Sequence, residues 1–133
     1  MMIIIMIMIK MMTMTQIPYV DVVCFNRYFS WYSDPGHTEV IQRQLRGEID
    51  AFWTLYRKPI IMTEYGADTV PGLHRDPSVM FTEEYQEDVM VEYHEEFDRA
   101  RRESGLRGEM VWNFADFMTV QGGGEGRDGV ELC

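Results

Sequence analysis

Glu64 follows an apolar run, from which only Thr63 separates it, in the segment KPIIMTEYG, residues 58–66. A short apolar run of this kind is typical of a strand buried in a sheet. The pattern therefore predicts a strand whose apolar residues are buried and whose end presents the Glu64 carboxylate. A structural interpretation stays open, because Glu64 could instead cap a helix or pair with an arginine at the end of the strand.

Aromatic residues accompany this carboxylate in two further segments, NRYFSWY at residues 26–32 and WNFADF at residues 112–117. Sugars stack their C–H faces on aromatic rings, and their hydroxyl groups form charged hydrogen bonds with carboxylates. The combination favours a carbohydrate site, although ordinary core packing is an alternative for Trp31 and Trp112. Trp53 lies in a helical pattern and is predicted to pack there.

Other chemical motifs in the sequence are weaker. The run GEGRDG at residues 124–129 has the spacing of a dinucleotide-binding loop, but it follows a loop and no helical pattern comes after it. His37 and His74 lie in predicted loops. His94 stands beside two glutamates, which we interpret as a solvated helix face rather than a metal site. We therefore expect neither a metal nor a cofactor.

The composition limits the possible partners. Of the 133 residues 46% are hydrophobic, which is typical of a globular domain, and the formal net charge is −10. Binding to nucleic acid or to an anionic membrane requires clustered Lys and Arg, so we expect neither as a partner. The two cysteines, Cys24 and Cys133, form neither a disulfide framework nor a zinc pattern, and Cys24 is predicted to be a buried thiol.

The first half of the chain predicts a strand, a helix and a second strand. Residues 20–25 (VDVVCF) form a valine-rich apolar run that suits a buried strand. A helix should follow, with Thr38 as its N-cap and Pro59 beyond its end. Its inner face would carry Ile41, Leu45, Ile49, Phe52 and Tyr56. The segment that ends in Glu64 is the second strand.

The second half repeats this order. Thr82 is expected to cap a second helix, and Gly105 should follow its end. Its inner stripe would consist of Tyr85, Val89, Tyr93, Phe97 and Ala100. Residues 109–114 (EMVWNF) are predicted to be the third strand. Strands that alternate with helices indicate a parallel α/β sheet, whose site lies beyond the carboxyl ends of the strands. Glu64 and both aromatic segments should therefore share one edge.

Four segments in this order and spacing closely resemble the β-glucuronidases, which are retaining glycosidases of glycoside hydrolase family 2. The segments are CFNRYFSWY, PIIMTEYGADT, MFTEEYQ and VWNFADFMT. The resemblance covers residues 16–121 and is strongest to the animal enzymes. It implies a partial (β/α)8 TIM barrel, with about strands six to eight of the barrel and the helices between them.

The resemblance also implies roles for five residues. Glu64 would be the nucleophile that forms a covalent glycosyl-enzyme intermediate, and Tyr28 would be the tyrosine that orients it. Asn26 and Tyr32 would hydrogen-bond the sugar. Trp112 would form part of the floor under the sugar.

One part of the family's catalytic machinery is missing from the sequence. A retaining mechanism needs two carboxyl groups, and the family's acid/base is the Glu of an Asn-Glu pair. The sequence has two asparagines, Asn26 and Asn113, and neither precedes a glutamate. The family's Asn-x-Lys signature for the glucuronate carboxylate is missing too. The resemblance thus implies a glucuronide hydrolase that is inactive as this fragment alone. The alternative is a glycan-binding or barrel-completing interaction module without catalysis.

Three segments are expected along the chain. Residues 1–15 are a Met- and Ile-rich leader that we interpret as foreign to the family, with a strand or a crude signal segment as alternatives. Residues 16–121 form the partial barrel, and residues 122–133 form a Gly-rich tail outside the family.

Partners and compartment follow from the resemblance. A β-glucuronide or another glycan is the expected substrate, and a second copy of the chain or the missing part of the barrel is the expected protein partner. The compartment stays open: lysosomal or extracellular if the chain is like the animal enzymes, and cytoplasmic if it is bacterial.

Overall fold

Strands and helices alternate along the chain. The computed structural model describes residues 17–113, Ala115 and two short strands at 118–119 and 131–132. The elements are β1 (Val23–Asn26), α1 (Ile41–Tyr56), β2 (Ile60–Glu64), α2 (Glu83–Glu103), β3 (Leu106–Glu109), β4 (Met118–Thr119) and β5 (Glu131–Leu132). The predicted leader, and the predicted tail apart from β5, lie outside the described residues.

The first three strands form one parallel sheet in the order β1-β2-β3. Parallel neighbours need a crossover connection, which α1 and α2 supply. The predicted α/β architecture, with three parallel strands and two helices in this part of the chain, is confirmed. β4 and β5 pair with each other in a separate antiparallel ladder.

α1 packs through the predicted face. Its inner positions are buried or partly buried in the core: Ile41, Leu45, Ile49, Phe52 and Tyr56. The prediction that Thr38 caps this helix is wrong, because residues Thr38–Val40 form a 3-10 turn and α1 starts at Ile41 without a side-chain cap. The Ile41 N–H bonds to the Thr38 carbonyl, so the turn itself satisfies a donor that a cap would otherwise take.

α2 begins at the predicted cap. The Thr82 side chain accepts a 3.2 Å hydrogen bond from the backbone N–H of Tyr85. The predicted inner stripe is fully confirmed as buried: Tyr85, Val89, Tyr93, Phe97 and Ala100. After the helix, Gly105 has a φ of +70°, and a Cβ there would lie 2.2 Å from the Trp53 ring. The close approach of α1 to this turn therefore requires glycine.

The first strand begins later than predicted. β1 starts at Val23 rather than at residue 20, because Val20 belongs to a turn in which its N–H bonds to the Ile17 carbonyl. The Val20 carbonyl accepts a 2.6 Å bond from the Lys58 side chain instead of a strand partner. Cys24, within β1, is buried with a free thiol, as predicted.

The third strand is shifted towards the N-terminus relative to the prediction. β3 spans Leu106–Glu109 rather than residues 109–114, because Leu106 is fully buried and pairs with Ile60 as soon as the chain leaves α2. Beyond β3 the chain still follows β2, through a 2.9 Å bond from the Met110 N–H to the Met62 carbonyl. Residues 110–112 thus continue along β2 as an irregular extension of the strand.

Candidate active site

The pairing of β1 with β2 brings two of the predicted site residues together. Asn26 is the register partner of Glu64, and the Arg27 N–H donates a 3.0 Å bond to the Glu64 carbonyl. The hydroxyl of Thr63 donates to the side-chain oxygen of Asn26 at 2.5 Å. This bond engages the side-chain oxygen of Asn26 and leaves the N–H groups of its amide for other acceptors.

Tyr28 reaches Glu64 from the loop that follows β1. Its hydroxyl donates a 2.8 Å hydrogen bond to Oε2 of the Glu64 carboxylate. Burial, reinforced by the bond to Glu64, raises the pKa of Tyr28 well above its ordinary value, so the phenol keeps its proton. A neutral donor therefore holds one oxygen of a half-buried carboxylate in a fixed position.

Tyr32 lies one helical turn after Tyr28 in the same loop. The Tyr32 N–H bonds to the Tyr28 carbonyl at 3.0 Å, and the two rings meet edge to face with centroids 5.2 Å apart. Tyr32 is 72% exposed. The structure therefore places an accessible aromatic ring and hydroxyl beside the Tyr28–Glu64 pair.

A backbone hydrogen bond holds Trp112 at the end of β2. Its N–H donates a 2.9 Å bond to the carbonyl of Tyr65, the residue after Glu64. Gly66 has a φ of +137°, and a Cβ there would lie 2.9 Å from the Trp112 carbonyl oxygen. Trp112 is 45% exposed. The described residues of all three predicted clusters thus lie at the same edge of the sheet, as the parallel topology requires.

Two residues at this edge were missed by sequence reasoning. Thr63 anchors Asn26, and Arg27 pairs with Glu48 of α1 at 2.6 Å while it bonds to the Asn26 carbonyl at 2.9 Å. Both are neighbours of predicted site residues, which is the signal that could have found them. Both residues act on Asn26: Thr63 bonds to its side-chain oxygen and Arg27 bonds to its carbonyl.

The histidines have carboxylate or phenol partners. His74 bonds to Glu84 at 2.7 Å, and His94 contacts the Tyr65 hydroxyl at 2.9 Å. His94 is therefore tied to the strand end, in addition to lying on the outer face of α2. Across the described residues, no group of three or more His, Cys, Asp and Glu side chains is placed to hold a metal ion. Neither helix in the described part of the chain is long and apolar enough to cross a membrane.

A known domain matches almost the whole chain. The model of the glycosyl hydrolases family 2 TIM barrel domain matches residues 8–128. The chain belongs to glycosyl hydrolase family 2. The predicted family and the predicted partial TIM barrel are confirmed.

Curated relatives in this family are named beta-glucuronidase. The protein from Mus musculus is 56% identical over 104 residues, and the one from Homo sapiens is 54% identical over the same length. In both cases the match covers 78% of this chain and 16% of the relative. The chain therefore spans about a sixth of the length of these family 2 proteins.

Solved structures of beta-glucuronidases share the fold of this chain. The beta-D-glucuronidase from Dictyoglomus thermophilum superimposes with a TM-score of 0.73 at 50% identity, over 79% of this chain and 18% of that one. A Bifidobacterium dentium beta-glucuronidase in complex with coumarin-3-O-glucuronide gives a TM-score of 0.70 at 43% identity, over 79% and 16%.

Proposed function

We propose that this chain supplies the nucleophile half of a β-glucuronidase-type retaining glycoside hydrolase. The observation that supports it is the 2.8 Å bond from Tyr28 to Glu64, at the carboxyl edge of a family 2 barrel sheet. The relatives named beta-glucuronidase, one of them bound to a glucuronide, support β-glucuronides as the substrate. Glu64 is the proposed nucleophile and Tyr28 its orienting donor.

In the proposed mechanism, Glu64 attacks the anomeric carbon of the sugar. The C–O bond to the aglycone breaks as an ester forms between the sugar and the carboxylate, and the departing oxygen takes a proton from a general acid. Water activated by the same group, now acting as a base, then hydrolyses the ester. Because Tyr28 holds one carboxylate oxygen of Glu64, it directs the other towards the sugar.

Three further residues are proposed to hold the sugar. Asn26 has its side-chain oxygen engaged by Thr63, which leaves the amide N–H groups to donate to hydroxyl groups. Tyr32 offers a hydroxyl from an exposed ring, and Trp112 offers an aromatic surface at the end of β2. Aromatic faces and charged or polar donors are the groups that bind pyranose rings.

The chain alone is proposed to be catalytically incomplete. Retaining hydrolysis needs a second carboxyl group about 5 Å from the nucleophile, to protonate the leaving group. By resemblance, that group belongs to an Asn-Glu pair, and neither asparagine of this sequence precedes a glutamate. Turnover would therefore require the rest of a barrel.

The test uses a reagent that forms the covalent intermediate without a contribution from the general acid. The full chain is co-expressed with the Mus musculus relative from which the matching 104 residues have been deleted, and we call the resulting assembly the completed barrel. It is treated with 2-deoxy-2-fluoro-β-D-glucuronyl fluoride, whose fluoride leaves without protonation. We expect one covalent sugar, located by peptide mass spectrometry on Glu64.

A matched variant makes this test specific. Glu64→Gln in the completed barrel should take up no label, because the amide is a poor nucleophile. Labelling of a different carboxylate, or an assembled barrel that is never labelled, would disprove the assignment of Glu64.

A second candidate function is a barrel-completing or glycan-binding module without catalysis. The exposed apolar side chains of Met110, Val111 and Trp112 favour it, because they follow β3 at the edge of the sheet and suit contact with a further strand. A completed barrel that assembles and binds a glucuronide, but whose turnover is the same with and without the Glu64→Gln substitution, would select this candidate.

A further inference from the structure

One buried hydroxyl touches the backbone on both sides of Tyr28. Tyr93, in the middle of α2, donates a 3.1 Å hydrogen bond to the carbonyl of Arg27 and accepts a 2.8 Å bond from the N–H of Phe29. Its side chain is fully buried. The phenol thus bridges the two residues that flank the hydrogen-bond partner of Glu64.

The bridge replaces hydrogen bonds that the sheet does not provide. β1 ends at Asn26, so the Arg27 carbonyl and the Phe29 N–H belong to the loop beyond it. A backbone group that lacks a hydrogen-bond partner away from water destabilises the fold, and the Tyr93 hydroxyl supplies that partner to both groups. Burial raises the pKa of Tyr93 above its ordinary value, so its hydroxyl retains the proton that it donates.

Tyr85 holds the far end of the same loop. Its hydroxyl donates to the Ser30 carbonyl and accepts from the Gly36 N–H at 3.1 Å. Tyr85 and Tyr93 are eight residues apart and lie on the buried stripe of α2. Stripe positions need only an apolar side chain for packing, yet both tyrosines here bond to the backbone of this loop.

We propose that Tyr93 is a positioning residue that sets Tyr28 against the Glu64 carboxylate. It acts through the backbone on either side of Tyr28 and does not touch the sugar. Without its hydroxyl, the Arg27–Phe29 segment can shift and the Tyr28–Glu64 bond loosens. The inference rests on the proposed function, because it concerns the donor to the proposed nucleophile.

The first test observes the Tyr28–Glu64 bond directly in the full chain. Tyrosine isotope-labelled at Cζ is incorporated, and the Tyr28 resonance is identified by its loss in Tyr28→Phe. Glu64→Gln provides the reference position for Tyr28 without a carboxylate partner. We expect the Tyr28 resonance of Tyr93→Phe to move towards that reference. A resonance that stays at its original position would overturn the inference.

A matched control separates this role from packing. Tyr65 stacks on Tyr93 with ring centroids 5.0 Å apart, and its hydroxyl contacts His94 rather than the loop. Tyr65→Phe removes a hydroxyl from the same aromatic stack and should leave the Tyr28 resonance in place. An equal displacement in Tyr65→Phe and Tyr93→Phe would reduce the effect to core packing and overturn the inference.

Rescue and kinetics provide a second readout. Replacement of Tyr93 by para-aminophenylalanine, whose amino group can donate to the Arg27 carbonyl, should return the Tyr28 resonance most of the way. In the completed barrel, Tyr93→Phe should slow labelling of Glu64 by the fluoride reagent about tenfold, which corresponds to about 1.4 kcal/mol in the barrier. Labelling of Glu64 at an undiminished rate in Tyr93→Phe would refute the positioning role and leave the proposed function standing.

The inference stays testable if Tyr93→Phe does not fold. In the unsubstituted chain, the Phe29 amide should exchange its proton much more slowly than an exposed loop amide, because Tyr93 accepts from it. Exchange of that amide at the exposed rate, in an otherwise protected core, would count against the bridge.

Discussion

The hydroxyl of Tyr28 donates a 2.8 Å hydrogen bond to the carboxylate of Glu64, which lies 36 residues further along the chain. The two residues meet because α1 carries the chain from the end of β1 to a parallel neighbour in which Asn26 and Glu64 are register partners. The orientation of the carboxylate thus depends on the loop after β1 as much as on β2 itself.

Loss of the Tyr28 hydroxyl should impair catalysis in the completed barrel. Tyr28→Phe removes a hydrogen bond to a charged group, which is worth about 1.5–3 kcal/mol, so we expect kcat to fall about ten- to a hundredfold. KM should change little, because the hydroxyl is engaged with Glu64 rather than with the sugar. Steady-state kinetics with a chromogenic glucuronide would measure both constants.

The Glu64→Gln variant gives the lower limit of turnover against which Tyr28→Phe is compared. It should abolish turnover while the circular dichroism spectrum stays unchanged. Turnover of Glu64→Gln within tenfold of the unsubstituted barrel would mean that Glu64 is not the nucleophile. A Tyr28→Phe variant whose KM rises while its kcat is unchanged would place Tyr28 in sugar binding instead.

Gly66 should be required for the position of Trp112. An alanine Cβ at this site would lie 2.9 Å from the Trp112 carbonyl oxygen, on a backbone with a φ of +137°. We expect Gly66→Ala to displace Trp112 and to lower kcat/KM in the completed barrel about tenfold, or about 1.4 kcal/mol. Kinetics and tryptophan fluorescence would report the two effects.

Gly72 provides the control for this substitution. It also has a positive φ, +78°, but no atom lies within 4 Å of a Cβ built there. Gly72→Ala should therefore show the conformational penalty of about 1–2 kcal/mol in stability without the loss of activity. If the two substitutions lowered kcat/KM equally, displacement of Trp112 would not explain the effect of Gly66→Ala.

Much of the fold could be predicted from periodicity. The stripes of α1 and α2 follow from helical spacing of apolar residues, and the cap at Thr82 follows from its residue type. The start of β3 was missed because LRGE has no strand pattern: its single buried residue, Leu106, is enough to bring the strand into register with Ile60. Tertiary pairing decides such short strands, and local propensity does not.

The site was predictable where residue type alone carries the chemistry. Glu64 and its aromatic neighbours stand out at strand ends. In contrast, Tyr93 looked like a packing residue, because its hydrogen bonds join segments more than 60 residues apart. Glu96 was missed because one of its partners, Arg46, lies 50 residues away on the other helix, although Arg99 is only three residues further along α2.

The buried carboxylate of Glu96 should make Arg99 important for stability. Glu96 is fully buried, and Arg99 bonds to it at 2.6 Å. Arg99→Ala would leave this charge with Arg46 alone at 2.9 Å, so we expect the free energy of unfolding to fall by about 3 kcal/mol. Urea denaturation of the completed barrel would measure the change.

Glu103 offers a control within the same network. It bonds to Arg99 at 3.0 Å but is largely exposed. Glu103→Ala should therefore change the free energy of unfolding by less than about 1 kcal/mol. If Arg99→Ala destabilises no more than Glu103→Ala, the burial of Glu96 carries no penalty that Arg99 relieves.

Asp50 should contribute to stability in a pH-dependent way. Burial raises the pKa of Asp50, but hydrogen bonds from Ser104 and Arg99 outweigh burial and hold the pKa below its ordinary value of 3.8. The folded state therefore favours the ionised form, and its stabilisation is present above the ordinary pKa and lost as the pH falls through the folded-state pKa. Asp50→Asn should destabilise the protein near neutral pH and progressively less in acid. Urea unfolding from about pH 2 to pH 6 would test this, and a difference between the two proteins that is constant across the range would contradict it.

The chain without the rest of the barrel should be marginally stable or self-associated. A full (β/α)8 barrel has about 250 residues, whereas β1 and β3 here are the outer strands of the described parallel sheet, with Met110 and Val111 exposed just beyond β3. Open edges and apolar side chains of this kind promote association. We expect a free energy of unfolding below about 5 kcal/mol, or oligomers in sedimentation velocity that Val111→Lys shifts towards the monomer. A monomer that unfolds in one sharp transition above about 5 kcal/mol would show that these edges are satisfied within the chain.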